Sequence, residues 1–145
     1  MKYYLAGPWF TEKADILENY AYSMFESTKD YNNCEVFRPR EESTPFPNDT
    51  FLNNLNAINN SDIVVALISE KDVGTAFEIG YARALGKKII LVGFNMADFK
   101  RKTNLMLAFA SDYCITIDNL WKLFTNKLDY NNDTIKFSQK WEDIE

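Results

Sequence analysis

The segment with the clearest chemical signal runs from Asp72 to Gly80 and reads D-V-G-T-A-F-E-I-G. Its apolar positions follow the period of an α-helix and predict one buried stripe, made of Val73, Ala76, Phe77 and Gly80. Glu78 lies directly beside that stripe, and Asp72 stands just before the helix. A carboxylate in a small apolar cleft can act as a nucleophile or a base, and carboxylates are the usual nucleophiles at the anomeric carbon of a sugar.

A structural interpretation of these two acids fits the pattern equally well. Asp72 would cap the helix, and Glu78 would be a partly buried acid favoured near the positive end of the helix dipole.

In the functional interpretation, Gly74 would let the backbone approach a ligand closely. The segment has neither the glycine spacing of a dinucleotide-binding turn nor that of a phosphate-binding loop, so we expect no nucleotide cofactor.

Aromatic residues near the start of the chain form a second candidate group. Residues 6–11 read A-G-P-W-F-T. Trp9 and Phe10 either fill the core or form a platform for a flat ligand, where stacking on a nucleobase contributes roughly 1–3 kcal/mol. Tyr4 would add a hydroxyl group near the same cleft.

Asparagines mark two further segments. Residues 103–110 read T-N-L-M-L-A-F-A and predict an amphipathic helix in which Asn104 is exposed, or a subunit contact through its apolar side. The cluster Asn53, Asn54 and Asn56 predicts a mostly solvated helix face, although one of its amides could face the cleft.

The composition excludes several kinds of chemistry. The chain has no histidine, which rules out Ser-His-Asp and Cys-His catalysis, so acid–base work falls to carboxylates, tyrosines, lysines or cysteines. Its two cysteines, Cys34 and Cys114, form no metal-binding spacing, and we expect no metal site. They are interpreted as reduced thiols of a cytoplasmic protein.

The charge of the chain limits its partners. The formal net charge of −5 argues against nucleic acid or an anionic membrane surface as a partner, because both select basic proteins. The first ten residues are too short an apolar run, and too broken by Gly7 and Pro8, to form a secretory leader or a membrane span.

Strands and helices alternate along the 145 residues, which predicts one domain with a short polar tail over about 129–145. The predicted strands are 2–6, 35–38, 62–69, 88–92 and 113–117. The predicted helices are 11–27, 50–60, 74–85, 104–110 and 119–127, with a proline-containing loop over 39–49. This order predicts an α/β, doubly wound (flavodoxin-like), five-stranded parallel sheet, with ligands beyond the carboxyl ends of the strands.

Several of these segments together resemble the nucleoside 2-deoxyribosyltransferase family over about residues 2–118. The matching pieces occur in family order: Y-L-A-G-P-W-F-T, N-N-L-N-A-I before D-I-V-V-A, D-V-G-T-A-F-E-I-G-Y-A, and T-N-L-M. The third resembles the nucleophile motif of the family and the last its Asn-Leu-Met motif. Their joint presence at this spacing is fairly specific, whereas either one alone would be weak.

The resemblance implies a role for each acid in the cleft. Glu78 matches the nucleophile, Asp72 matches a carboxylate that helps to hold the 5′-hydroxyl of the sugar, and Tyr4 matches a tyrosine that positions the nucleophile. The implied reaction moves a 2-deoxyribosyl group from a 2′-deoxynucleoside to a free nucleobase through a deoxyribosyl-glutamate ester, with net retention. No cofactor is implied.

The resemblance also implies a shared site. Asn104 matches an asparagine that reaches the 5′-hydroxyl from a neighbouring subunit, so we expect a homo-oligomer built from dimers, such as a hexamer. Met106, Trp9 and Phe10 match residues that line the site.

The chain departs from the family pattern in two places. The family usually has an aspartate where this chain has Asn54, and an amide can bind a base edge but cannot protonate a leaving base. Some members also place a terminal tyrosine carboxylate in the site, whereas this chain ends W-E-D-I-E, so that role is not assigned.

Two other functions stay open on the sequence. One is a deoxynucleoside 5′-monophosphate N-glycosidase, although such enzymes typically have a serine near the position of Asn104. The other is a non-catalytic nucleotide-binding module, because the fold alone does not determine function.

Overall fold

Five parallel strands form a single sheet in this computed structural model, which describes residues 1–31, 33–100, 103–137 and 144–145. The strand order is β2-β1-β3-β4-β5. The strands are β1 Lys2–Ala6, β2 Glu35–Phe37, β3 Ile63–Leu67, β4 Lys88–Gly93 and β5 Tyr113–Thr116. The predicted fold class is confirmed, since this is the strand order of a doubly wound, flavodoxin-like sheet.

Helices cover both faces of the sheet. They are α1 Glu12–Thr28, α2 Pro47–Asn60, α3 Val73–Ala84, α4 Met96–Lys100, α5 Leu105–Ala110 and α6 Leu120–Phe124. Apolar side chains of α1 and α6 pack on one face, and those of α2, α3 and α5 pack on the other. Within the described parts of the chain, no helix is long and apolar enough to cross a bilayer.

The two-residue period of a strand decides which face each side chain of β1 enters. Tyr3 and Leu5 belong to the apolar layer under α1, whereas Tyr4 and Ala6 belong to the layer under α2 and α3. Tyr4 is therefore carried to the face of the sheet on which α3 lies. The strands β3 and β4 are buried on both faces, as their continuous apolar runs predict.

The predicted buried stripe of α3 is wrong. The helix buries Thr75, Ile79 and Ala82 against the sheet, whereas Val73 and Phe77 are 86% and 52% exposed. Apolar residues occur on most sides of this helix, so its periodicity cannot tell which side faces the sheet. Docking on β1, β3 and β4 sets that rotation, and Glu78 comes to lie beside the buried Ile79.

Several helix boundaries also differ from the prediction. Helix α2 begins at Pro47, because proline suits the first turn of a helix, where its missing N–H leaves no hydrogen bond unmade. Helix α4 was not predicted, and the last helix is shorter than 119–127 and is preceded by a 3₁₀ turn over Ile117–Asn119. Gly86 ends α3 with a φ of 73°, a left-handed conformation that glycine adopts readily.

Candidate active site

The centre of the candidate site is a hydrogen bond between β1 and α3. The hydroxyl of Tyr4 donates to Oε1 of Glu78 at 2.7 Å. Tyr4 is fully buried, and its ring stacks on that of Phe37 with centroids 5.5 Å apart. Both groups belong to well-packed elements, since Ile79 of α3 is buried in the same apolar layer as Tyr4 of β1. The carboxylate is therefore held in one orientation by the core of the protein.

Burial changes the acidity of both partners. The pKa of Glu78 is raised to about 7, chiefly because burial disfavours the charged carboxylate. The nearby negative charge of Asp72 raises it further, whereas the hydrogen bond from Tyr4 acts in the opposite direction. The pKa of Tyr4 is raised well above its ordinary value by burial and by Glu78. Tyr4 therefore remains a proton donor in the bond, and Glu78 is available as a carboxylate near neutral pH.

Asp72 stands at the amino end of α3, where the sequence predicts a cap. Its Oδ2 accepts hydrogen bonds from the backbone N–H of Thr75 at 2.7 Å and from the Thr75 hydroxyl at 2.8 Å. Sequence reasoning did not select Thr75, although an acid followed by a hydroxyl residue three positions later is visible in the motif. A Cβ atom at Gly74 would lie 3.3 Å from the same Oδ2, so glycine leaves this carboxylate unobstructed.

A cavity of about 420 Å³ opens between the amino ends of α3 and α5, beyond the carboxyl end of β3. Among the predicted site residues, Asp72, Asn104 and Met106 line it. Among the described residues, four carboxylates, including that of Asp72, line the cavity together with one lysine, Lys71, which forms an ion pair with one of them. These acids are Glu70, Asp72, Asp98 and Glu145.

The remaining predicted residues do not line this cavity in the described structure. Glu78 lies further along α3 and Tyr4 lies on β1, whereas Trp9 and Phe10 lie at the turn after β1. The rings of Trp9 and Phe10 are 4.9 Å apart and tilted by 33°, and Phe10 is 77% exposed. The structure thus divides these predicted residues among three places: the hydrogen-bonded pair of Tyr4 and Glu78, the acidic cavity, and the aromatic turn after β1.

One hydrogen bond ties the aromatic turn to the cavity. The hydroxyl of Thr11 donates to the carboxylate of Glu70 at 3.0 Å, while it also accepts from the N–H of Ala14 as the cap of α1. Glu70 was not predicted as a site residue, because nothing local marks a contact between residues so far apart in the chain. This bond fixes the turn after β1 relative to the segment after β3.

Asn104 caps α5 in the described chain. Its Oδ1 accepts a hydrogen bond from the N–H of Met106 at 2.9 Å. Asn104 is exposed and Met106 is 72% exposed, so both project from the surface at the mouth of the cavity. They are accessible to a ligand and to a second copy of the chain.

Asn54 lies on α2, the helix on the other side of α3 from α5. It is half-buried, and its Oδ1 is buried without a hydrogen-bond partner among the residues that the structure describes. Phe51, one turn earlier on α2, contacts Phe77 of α3 with ring centroids 6.1 Å apart. Asn54 therefore stands in the crevice between α2 and α3.

The described chain shows no cluster of three or more His, Cys, Asp or Glu side chains that could hold a metal ion. Near α3 the structure places the half-buried carboxylate of Glu78, a tyrosine hydroxyl that donates to it, and polar groups on either side of the helix. Such a set suits covalent chemistry at a carbon atom held between the two sides.

Comparison with known proteins identifies a family for most of the chain. The model of the nucleoside 2-deoxyribosyltransferase family matches residues 3–106. A curated relative, nucleoside deoxyribosyltransferase of Lactobacillus leichmannii, is 36% identical over 80 residues. That alignment covers 54% of this chain, and the chain spans only half the length of the relative, 50%.

Solved structures extend the similarity to the fold of the whole chain. A 2-deoxyribosyltransferase from Bacillus psychrosaccharolyticus is 26% identical, with a TM-score of 0.70, and the match covers 95% of this chain and 99% of that one. A CMP N-glycosidase from Clostridium botulinum is 20% identical, with a TM-score of 0.52, covering 87% and 97% of the two chains. The latter similarity shows a shared fold alone.

Proposed function

The chain belongs to the nucleoside 2-deoxyribosyltransferase family, and we propose that it transfers the 2-deoxyribosyl group between nucleobases through a covalent ester on Glu78. The observation that carries this proposal is the part-buried hydrogen bond of 2.7 Å from Tyr4 to Glu78. It provides a carboxylate that is oriented, partly desolvated and ionisable near neutral pH.

In the first half of the reaction, a carboxylate oxygen of Glu78 bonds to C1′ of the 2′-deoxynucleoside. The bond from C1′ to the base nitrogen breaks, its electron pair goes to the base, and the base takes up a proton. In the second half, a nitrogen of another base attacks C1′, the ester bond breaks, and Glu78 is released as a carboxylate while the new base loses its proton. Two inversions give net retention.

Tyr4 acts as a positioning residue in this scheme. Its hydroxyl binds one carboxylate oxygen and leaves the other for C1′. The apolar layer around the pair keeps bulk water from the ester, so that transfer competes with hydrolysis. A nucleophile packed this closely against the sugar would also leave no room for a 2′-hydroxyl.

The sugar would extend from Glu78 towards the acidic cavity. Asp72 would accept a hydrogen bond from the 5′-hydroxyl, and Gly74 would leave space beside it. Asn104 and Met106, exposed on α5, would complete the site of a neighbouring subunit in a homo-oligomer built from dimers. Trp9 and Phe10 would stack on the base once the subunits assemble.

The proton for the leaving base needs a source other than residue 54. Asn54 cannot supply a proton, and we propose that a water or another acid does so while Asn54 orients the base. The substitution Asn54→Asp should then raise turnover and add a limb to its pH dependence. Turnover that stays unchanged across pH would contradict this role.

A 5′-monophosphate N-glycosidase is the second candidate, because the fold also matches a CMP N-glycosidase. Such an enzyme must bind a phosphate beside Asp72. Among the described residues, the cavity there is lined by four carboxylates and by one lysine that is already paired. These carboxylates would repel a dianionic phosphate, which supports the unphosphorylated nucleoside as the substrate.

A base-exchange assay tests the proposal. The purified protein would be incubated with deoxyinosine plus adenine, and with thymidine plus adenine, and the products separated by liquid chromatography. We expect new deoxyadenosine, which should be absent with Glu78→Ala. Release of free base without deoxyadenosine would indicate a hydrolase instead. Turnover only with 5′-monophosphates, or none from a folded protein, would overturn the proposal.

A further inference from the structure

Asn54 is half-buried on α2, the helix that packs against α3. Ile58, one turn later on the same side of the helix, is fully buried in the layer that contains Tyr4 and Ile79. Because α2 leads into β3, its earlier turns lie towards the carboxyl ends of the strands, where ligands bind in this fold. Asn54 is therefore held above the buried layer, on the side of the nucleophile.

The two sides of α3 differ in chemistry. The side towards α5 carries the acidic cavity with Asp72. The side towards α2 carries the aromatic contact between Phe51 and Phe77, and the amide of Asn54. If the 5′ end of the sugar lies on the acidic side, as the proposed function requires, a base attached at C1′ extends towards the aromatic side.

Among the residues that the structure describes, Oδ1 of Asn54 has no hydrogen-bond partner. A buried carbonyl oxygen without a donor is unfavourable, and native proteins rarely retain one without a role. Because Oδ1 has almost no accessible surface of its own, a base reaches it only after the amide turns, and a ligand N–H that then pairs with it removes the deficit. Rotation about the last side-chain bond lets the amide present its oxygen or its nitrogen without moving the helix.

We propose that Asn54 makes this enzyme selective for 6-aminopurines over 6-oxopurines, an inference that rests on the proposed function. The Nδ2 amide group of Asn54 would donate to N7 of a purine, where negative charge develops as the base leaves. Oδ1 would accept from the amino group at C6. This is the two-point pairing that asparagine makes with adenine in nucleic acids.

A 6-oxopurine can pair with the donor group of the Asn54 amide but not with its acceptor oxygen. Hypoxanthine and guanine present two acceptors, O6 and N7, along the same edge. Nδ2 can donate to them, but neither of them can donate to Oδ1. The difference between the two classes of purine is therefore one hydrogen bond to a buried acceptor.

A competition assay measures this selectivity directly. The protein would receive one donor, thymidine or deoxycytidine, and equal concentrations of adenine and hypoxanthine. The ratio of deoxyadenosine to deoxyinosine formed at early times equals the ratio of the two kcat/KM values. We expect adenine to be preferred by roughly ten- to a hundred-fold.

Variants assign the preference to one side chain. Asn54→Ala should reduce the ratio to near unity, whereas Asn53→Ala, which removes an exposed amide from the adjacent position, should leave it unchanged. Asn54→Leu fills the same volume without a buried carbonyl. It should lose the preference and unfold at a higher temperature than the wild type, a result that a merely structural asparagine would not give.

The outcomes separate this inference from the proposed function. Exchange without a preference, or a preference that survives in folded Asn54→Ala or Asn54→Leu, overturns the inference and leaves the transferase activity standing. Absence of exchange with every base overturns the proposed function. In that case calorimetric binding of deoxyadenosine and deoxyinosine to the wild type still decides the inference, and equal affinities would reject it.

Discussion

The two carboxylates of the motif stand six positions apart in the sequence but in contrasting surroundings. Glu78 is half-buried beside the apolar layer of the sheet and accepts a hydrogen bond from Tyr4 of β1, and its pKa is raised to about 7. Asp72 lies at the amino end of α3, bonded to its own helix, and lines the acidic cavity. Burial therefore changes the acidity of Glu78, whereas Asp72 lies where a ligand in the cavity can reach it.

Removing the carboxylate of Glu78, the proposed nucleophile, should have the strongest effect on activity. Glu78→Gln keeps the shape of the side chain and an oxygen that can accept from Tyr4, so the fold should persist. Base exchange should fall by about 10⁴-fold or more, because an amide does not form the ester. The measurement is the steady-state exchange rate, with circular dichroism as the control for folding. Exchange within ten-fold of the wild type would exclude Glu78 as the nucleophile.

The raised pKa of Glu78 also predicts a dependence of stability on pH. Its folded pKa of about 7 lies above the ordinary value of 4.5, so the folded state binds the extra proton between these values. Stability is therefore full below about pH 4.5 for this group and is lost as the pH rises through 7. Above pH 8, Glu78→Gln should be more stable than the wild type by about 1–3 kcal/mol in urea unfolding.

At pH 4 the same two proteins should differ little in stability, since Glu78 is then neutral in both states. A stabilisation by Glu78→Gln that is equal at pH 4 and pH 8 would show that the carboxylate is not desolvated as the structure indicates.

Removing the hydroxyl of Tyr4 tests whether this group orients Glu78 and lowers its pKa. The hydrogen bond from Tyr4 lowers the pKa of Glu78, so Tyr4→Phe should raise that pKa further. The acid limb of the exchange activity should move to higher pH, and turnover at pH 7 should fall by about ten-fold as orientation is lost. Full pH–rate profiles of both proteins provide the measurement. Tyr3→Phe, on the opposite face of the sheet, is the matched control, and equal shifts in both variants would contradict the assignment.

Substitutions of Asp72 should have smaller effects on activity than those of Glu78 and Tyr4. Asp72→Ala should lower stability by about 1 kcal/mol because it removes the cap of α3, whereas Asp72→Asn should retain most of the cap. Both variants should lower the pKa of Glu78, since its negative neighbour is gone. They should also raise KM for nucleosides more than they change kcat. An acid limb that does not move in either variant would indicate that the two carboxylates are uncoupled.

Much of this architecture could be predicted from local patterns. The continuous apolar runs of β3 and β4 identified strands buried on both faces, and Asp72 marked the start of α3. The fold class followed from the alternation of strands and helices. Helix α4 and the early start of α2 escaped prediction because short, polar segments carry little periodic signal.

The site was only partly predictable for a different reason. The sequence placed Glu78 and Asp72 on one helix and identified Tyr4 as a nearby hydroxyl, and the resemblance of its motifs assigned the family, which the comparisons confirm. It could not reveal that Val73 and Phe77 face outwards, because helical periodicity fixes which residues share a side but not which side meets the sheet. Nor could it show the tether between Thr11 and Glu70, whose partners are distant in the chain.

The order of strands and helices, the absence of histidine chemistry and the motif that contains Asp72 and Glu78 follow from the sequence, because these depend on residue types and local spacing. The acidity of Glu78, the division of α3 into an acidic and an aromatic side, and the buried oxygen of Asn54 that has no partner among the described residues are properties of the tertiary structure. Those properties arise from burial and from contacts between distant segments, and only the folded chain brings these together.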